Sequence, residues 1–161
     1  MLEPIFQLLK KSNYASLATA DSQAPLVTLV GYIFLTDYSN FGQISLLLSG
    51  IARHTKNIRR HNRVSLMICD TDSKRSAHEL SRVTLIGELH KEINKNEHAI
   101  LKQEYLKKYP KSDIFFTLKD FHFYTLKPSE IHWIQGFAQA QTLLFKDGQW
   151  QSLSQQENEA E

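Results

Sequence analysis

Hydrophobic and polar positions follow two different periods along this chain, and the switches between them mark short elements. In Glu3–Lys11, Ile5, Leu8 and Leu9 recur at helical spacing behind Pro4, which predicts an amphipathic helix. Tyr14–Ala20 reads as a strand and 21–24 as a turn. Pro25–Leu35 (PLVTLVGYIFL) is β-branched and aromatic and apolar on both faces, so a strand covered on both sides is expected. Residues 37–42 are turn-like, and Gln43–Ser49 reads as a third strand. Over 52–61 the period lengthens: Ile51, Thr55 and Ile58 form one stripe and Arg53, Lys56, Asn57 and Arg60 another, the pattern of a short helix with a basic outer face. A strand over 64–70, a polar loop over 71–79 and a strand over 81–93 follow, the last with Val83, Leu85 and Gly87 on one face. A lysine-rich helix over 96–109 stops at Pro110, and strands over 121–126 and 131–137 are joined by a turn at 127–130.

These are six or seven strands and three helices, with short junctions and no regular βαβ alternation. They predict a mainly β (α+β) fold, a six- to seven-stranded antiparallel barrel with peripheral helices. At 161 residues the chain fits one domain, expected over 1–150, with a polar acidic tail over 151–161. No apolar run reaches the ~18 residues of a membrane-spanning helix, and the N-terminus has Glu3 and no small-residue cleavage site, unlike a signal peptide. Cys69 is the sole cysteine, which excludes an intrachain disulfide and a cysteine-based zinc site and makes the cytoplasm the expected location. A formal net charge of +2 gives no reason to expect nucleic acid or membrane as a partner.

Local charge is more informative. Arg53, Lys56, Arg59, Arg60 and Arg63 crowd one segment whose other titratable groups are all histidines. A strand ending at Ser49 runs straight into this basic helix. The first amides of a helix have no internal acceptor and sit at the positive end of its dipole, so an oxyanion gains there. Ser49 and Thr55 offer hydroxyl donors, Arg53 a bidentate fork and His54 an imidazole N–H, while Gly50 permits close backbone approach. The plainer alternative is a solvated basic face with Ser49 as the helix N-cap.

The run LLLSGIARHTKNIRRHNRVSLMICD resembles the signature of the pyridoxamine-phosphate-oxidase-like FMN-binding split barrels. The nearer match is the haem-utilisation branch, with its S-x-x-A-x-H-T-x-N run and V-S-L strand. ASLATAD, SRVTLIGELHK and KDFHFYTLKPSEIHWIQGFAQA match further blocks in the same order. The resemblance implies a split barrel that holds the FMN phosphate through Ser49, Arg53, His54 and Thr55 and the flavin ring along Thr28, Val27 and Leu29. It places Arg82 or Thr84 near the flavin. It also implies a homodimer with flavin sites at the subunit interface, where Trp133 and Gln135 reach the partner's flavin; plain packing in the core or interface is the preferred reading of Trp133.

Departures limit what carries over. The C-terminal arginines that hold the substrate phosphate in true pyridoxamine-phosphate oxidases are missing, since no arginine follows Arg82. The tail histidine of the haem-degrading relatives is missing too, since 139–161 contain none; Asp120 does match an acidic position in them. His122 and His132 are the remaining candidates for a haem iron, and His61, His78, His90 and His98 are expected at the surface without metal-type spacing. The expectation is therefore an FMN-dependent oxidoreductase acting on an unknown small molecule and needing no conventional catalytic group. The alternatives are a haem-binding or haem-degrading protein and a non-catalytic flavin binder.

Overall fold

Alternating burial runs through the strands Tyr14–Ala20, Arg63–Cys69 and Arg82–Lys91, and that period-two pattern turns one face of the sheet to the core. The computed structural model describes residues 2–21, 24–36, 41–72, 74–137 and 139–153. Its elements are α1 (Glu3–Lys11), β1 (Tyr14–Ala20), β2 (Pro25–Leu35), β3 (Gln43–Ser49), α2 (Arg53–Arg60), β4 (Arg63–Cys69), β5 (Arg82–Lys91), α3 (Lys95–Lys108), a 3-10 helix (Pro110–Thr117), β6 (Phe121–Gly136), β7 (Gln139–Lys146) and β8 (Gln149–Ser152). The strands pair in the order β3-β2-β1-β4-β5-β6-β7-β8, and a further β3–β6 ladder closes the first six into a barrel. Every ladder is antiparallel. The expected barrel is therefore present, with β7 and β8 added beyond it.

Leu17, Tyr32, Leu46, Leu66, Leu85 and Ile131 fill the interior and are fully buried. Helix α1 seats Ile5 and Leu9 on the same core, and the Tyr32 hydroxyl donates to the Leu9 carbonyl at 2.7 Å. Truncating one of these leucines to alanine costs about 2–5 kcal/mol. On the outside of β2 and β3, α3 lays Leu101 and Tyr105 over Ile33, Leu47 and Phe123. Asn94 caps that helix, accepting from the Asn96 and Glu97 amides.

Several expectations change. The two strands at the end of the chain are one, β6, because the segment at 127–130 stays paired with β5. Residues 121–126 of β6 pair with β3 and 130–136 with β7. A bulge between Ile86 and Gly87 absorbs the register shift at Pro128, where a missing N–H is tolerated. Gly87 permits the crossing: a Cβ there would lie 2.2 Å from the Lys127 carbonyl oxygen. Strands β7 and β8 form a hairpin across Asp147 and Gly148, both at positive φ (52° and 78°), the geometry of a type I′ turn. The expected cover over both faces of β2 reaches only its second half, since Val27 and Leu29 remain 63% and 72% exposed. The turn-like segments at 21–24 and 37–42 lie partly, and the acidic run at 155–161 wholly, outside the described residues. No described helix is long and apolar enough to cross a membrane.

Candidate functional site

The β3–α2 junction is shaped by the start of β6. Because Phe121 pairs with Ser49, Asp120 falls beside the end of β3. It takes the Gly50 amide on its carbonyl oxygen at 2.6 Å, and its carboxylate accepts from the Ser49 hydroxyl at 2.6 Å. A Cβ on Gly50 would meet the same carbonyl at 3.1 Å and the Arg59 guanidinium at 3.0 Å. Gly50 thus admits β6 and Arg59, and the hydroxyl expected to face an anion already serves a carboxylate.

Helix α2 begins later than the periodicity suggests. Ala52 is its N-cap, in extended geometry and with no side-chain cap, so Ser49 does not cap it. Its first amides have no intrahelical acceptor. Ile51 precedes the helix and is 74% exposed, so it leaves the buried stripe. Asn57 leaves the basic stripe: it is buried and donates to the Thr19 hydroxyl at 3.2 Å. Thr55 and Ile58 pack inward as expected.

His54 Nδ1 lies 3.2 Å from Thr28 Oγ1, and its buried Nε2 has no hydrogen-bond partner among the described residues. Burial holds its pKa below the ordinary histidine value. The Thr55 hydroxyl is likewise buried and unpartnered. His54 and Ser49 line a cleft of about 260 Å³ walled by Leu29, Val30, Tyr105 and Phe121, where Phe115 stacks on Phe121 at 4.9 Å. Arg53 is exposed and pairs with Asp21 at 3.0 Å. The fold thus brings Thr28, Ser49, Arg53, His54 and Thr55 to one neighbourhood.

The remaining candidates lie elsewhere on the same chain. Thr84 sits opposite Met67 on one side and His132 on the other. Between β2 and β5 lie β1 and β4, so three ladders, roughly 14 Å at about 4.8 Å each, part Thr84 from Thr28. Arg82 donates to the Ala77 and Leu80 carbonyls and ties down the preceding loop. Trp133 is a core residue, as preferred, and also borders a cleft of about 460 Å³ with Gln135, Lys11 and Asp70. His132 Nδ1 is 3.2 Å from Thr142 Oγ1. His122 pairs with Leu48 across the β3–β6 ladder; burial and the charges of Lys91, Arg59 and His98 lower its pKa, against the pull of Asp120. No cluster of three or more potential metal ligands occurs among the described residues. The sequence placed Arg59 only in the basic run and matched Asp120 to an acidic position in the haem-degrading relatives. It held no sign that Arg59 lies against Gly50 or that Asp120 binds Ser49, because both contacts depend on the long-range β3–β6 pairing.

The family model described as the CREG β-barrel matches residues 7–151. Three solved structures share the fold. A haem-binding protein from Mycobacterium smegmatis is 21% identical, with TM-score 0.74, over 86% of this chain and 56% of its own. HutZ, the haem storage protein of Vibrio cholerae, is 23% identical, with TM-score 0.66, over 79% and 89%. An FAD-binding protein from Mesorhizobium loti is 13% identical, with TM-score 0.59, over 78% and 88%. This chain therefore spans little more than half of the mycobacterial protein. No curated protein matches it.

Proposed function

The chain belongs to the CREG β-barrel family, and from the junction described above we propose that it binds FMN, with the phosphate at the start of α2 and the flavin ring along the outer face of β2. The observation that carries this reading is the buried, unpartnered His54 Nε2 beside uncapped helix amides and a cleft with aromatic walls. An incoming oxyanion would take the imidazole N–H and the first α2 amides together. Arg53 would leave its exposed pair with Asp21 to join them. Ser49 would keep its bond to Asp120 and serve as a positioning residue. Bound FMN would supply the redox chemistry for an unidentified small molecule, and the protein would orient it.

The flavin reading includes a second copy of the chain. Val27 and Leu29 form an exposed apolar pair beside Thr28, and the ladders carry their face across β1 and β4 to Met67 and Thr84. A twofold partner packed there would cover this face and bring its own Thr84 and Gln135 toward the flavin. The second reading is haem, favoured by two structural neighbours described as haem-binding and haem-storing proteins; His122 and His132 are its ligand candidates.

Absorbance of the purified chain before and after adding FMN or haemin separates the readings. A flavin spectrum with saturable FMN binding, weakened about fivefold in Arg53→Ala, is expected. No FMN affinity, with a Soret band that changes in His122→Ala or His132→Ala, would replace the flavin reading with haem.

A further inference from the structure

The β3–β6 ladder has a second end, about five residues from the junction and roughly 17 Å away at about 3.4 Å per residue. There β6 parts from β3 after the Ile44–Leu126 pair and takes up β7 at Glu130. Its residues 127–129 therefore pair with neither strand on that edge, and a hole opens between the barrel and the β7–β8 hairpin. The hole is a cleft of about 370 Å³ walled by Phe41, Phe145 and Trp150. These rings belong to a continuous aromatic wall, with centroids 5.6 Å apart for Phe41 and Trp150 and 5.2 Å apart for Phe145 and Trp150.

Two observations make this more than a packing gap. The Trp150 indole Nε1 is buried and has no hydrogen-bond partner among the described residues; a buried donor of this kind is ordinarily satisfied by protein, water or ligand. The polar residues along the described lining are Gln43, Thr125 and Lys127, with no carboxylate. The Gln43 amide donates to the Thr125 hydroxyl at 3.5 Å and Thr125 also bonds the Ser45 hydroxyl at 2.9 Å, which leaves the Lys127 ammonium and the Trp150 N–H as the donors for a ligand. An apolar aromatic cleft with a few convergent donors is the usual make-up of a small-molecule site. Its donors select an acceptor, and Lys127 selects a negative one.

We propose that the cleft between β3, β6 and the β7–β8 hairpin binds a small planar aromatic carboxylate, with its ring against Phe41, Phe145 and Trp150 and its carboxylate within reach of the Trp150 N–H and Lys127. The site is independent of the flavin reading, because no residue of the junction lines it.

The test titrates the full-length, ¹⁵N-labelled chain with 2-naphthoate and follows the two tryptophan indole N–H signals, assigned through Trp133→Phe. The Trp150 signal should move saturably while that of Trp133 stays still. Lys127→Ala, an exposed change that leaves the fold intact, should weaken binding about fivefold, the scale of an exposed ion pair. The neutral 2-naphthamide should bind more weakly than the acid. No saturable shift, equal movement of both signals, or an affinity indifferent to Lys127→Ala would each overturn the proposal; the first would leave the indole to a water molecule.

Discussion

At the Ser49 end of the β3–β6 ladder polar groups are dense and largely satisfy one another; at the Ile44 end they are sparser, and a buried indole N–H has no partner among the described residues. The junction holds Ser49 on Asp120, Arg53 on Asp21 and Asn57 on Thr19. Among the described residues, its His54 Nε2 and Thr55 hydroxyl are buried without a partner. The cleft at the other end contains one such donor, the Trp150 N–H, among aromatic rings. A polar motif shows where hydrogen-bonding capacity is concentrated. The capacity left for a ligand is what remains after the fold has used its share.

The largest effect should come from the pivot that opens the split. Gly87→Ala places a methyl 2.2 Å from the Lys127 carbonyl oxygen, and that atom is backbone, so β6 itself must move. The expected loss is about 3 kcal/mol or more in denaturant unfolding. The Trp150 indole signal should shift while signals from His54 stay near their places, since only one end of the ladder is disturbed. A loss below about 1 kcal/mol would mean that the crossing is slack, and the contrast between the two ends would lose its structural cause.

This pivot was also the part of the fold least legible in the sequence. Lys127-Pro128-Ser129-Glu130 has the composition of a turn, and only long-range pairing to β5 keeps it in a strand. Strands β1, β4 and β5 were legible because their apolar residues alternate strongly enough to mark an inner face, and β2 and β3 because they are short apolar runs rich in strand-forming residues between turn signals. The β7–β8 hairpin carried a signal that was passed over: Asp147-Gly148 between two short strands is the composition of a type I′ turn. At the site, Thr28 and His54 are 26 residues apart in sequence and meet at 3.2 Å; spacing alone cannot show this, and the family resemblance put both near the flavin. The carboxylate on Ser49 comes from Asp120, 71 residues further on and just before β6, so no local reading of the motif could reveal that the hydroxyl was taken.

That carboxylate supplies the second prediction. Asp120→Asn keeps the shape and an acceptor for Ser49 but removes the charge, so stability should fall by about 1 kcal/mol. FMN should bind about fivefold more tightly, because an anion no longer approaches a fixed negative charge. The His122 pKa should fall further, since Asp120 acts to raise it; a proton NMR titration reads that directly. Unchanged FMN affinity beside a lowered His122 pKa would place the phosphate away from Ser49 altogether, and the junction would hold its ligand through α2 and His54 alone.

The smallest effect is a pH slope, and it bears on His54, whose buried Nε2 has no partner among the described residues. Burial lowers the His54 pKa in the fold, beneath the value of about 6.5 that it has in the unfolded chain. Between those two values the unfolded chain binds more protons than the native one, so its contribution to stability is whole above about pH 6.5 and is lost as pH falls toward the folded pKa. His54→Gln, which can keep a bond to Thr28, should flatten that slope in unfolding curves taken across the window. Part of the slope should survive, because His122 is lowered by its own burial and by Lys91, Arg59 and His98. Phosphate acts in the opposite sense: a bound anion favours the imidazolium, so FMN binding at mildly acid pH should take up less than one proton, measurable by calorimetry in buffers of different ionisation enthalpy. Binding that takes up no proton, with the slope unchanged in His54→Gln, would mean that the imidazole does not meet the phosphate, and the junction would then resemble the split end in having its free donor on an uncharged group.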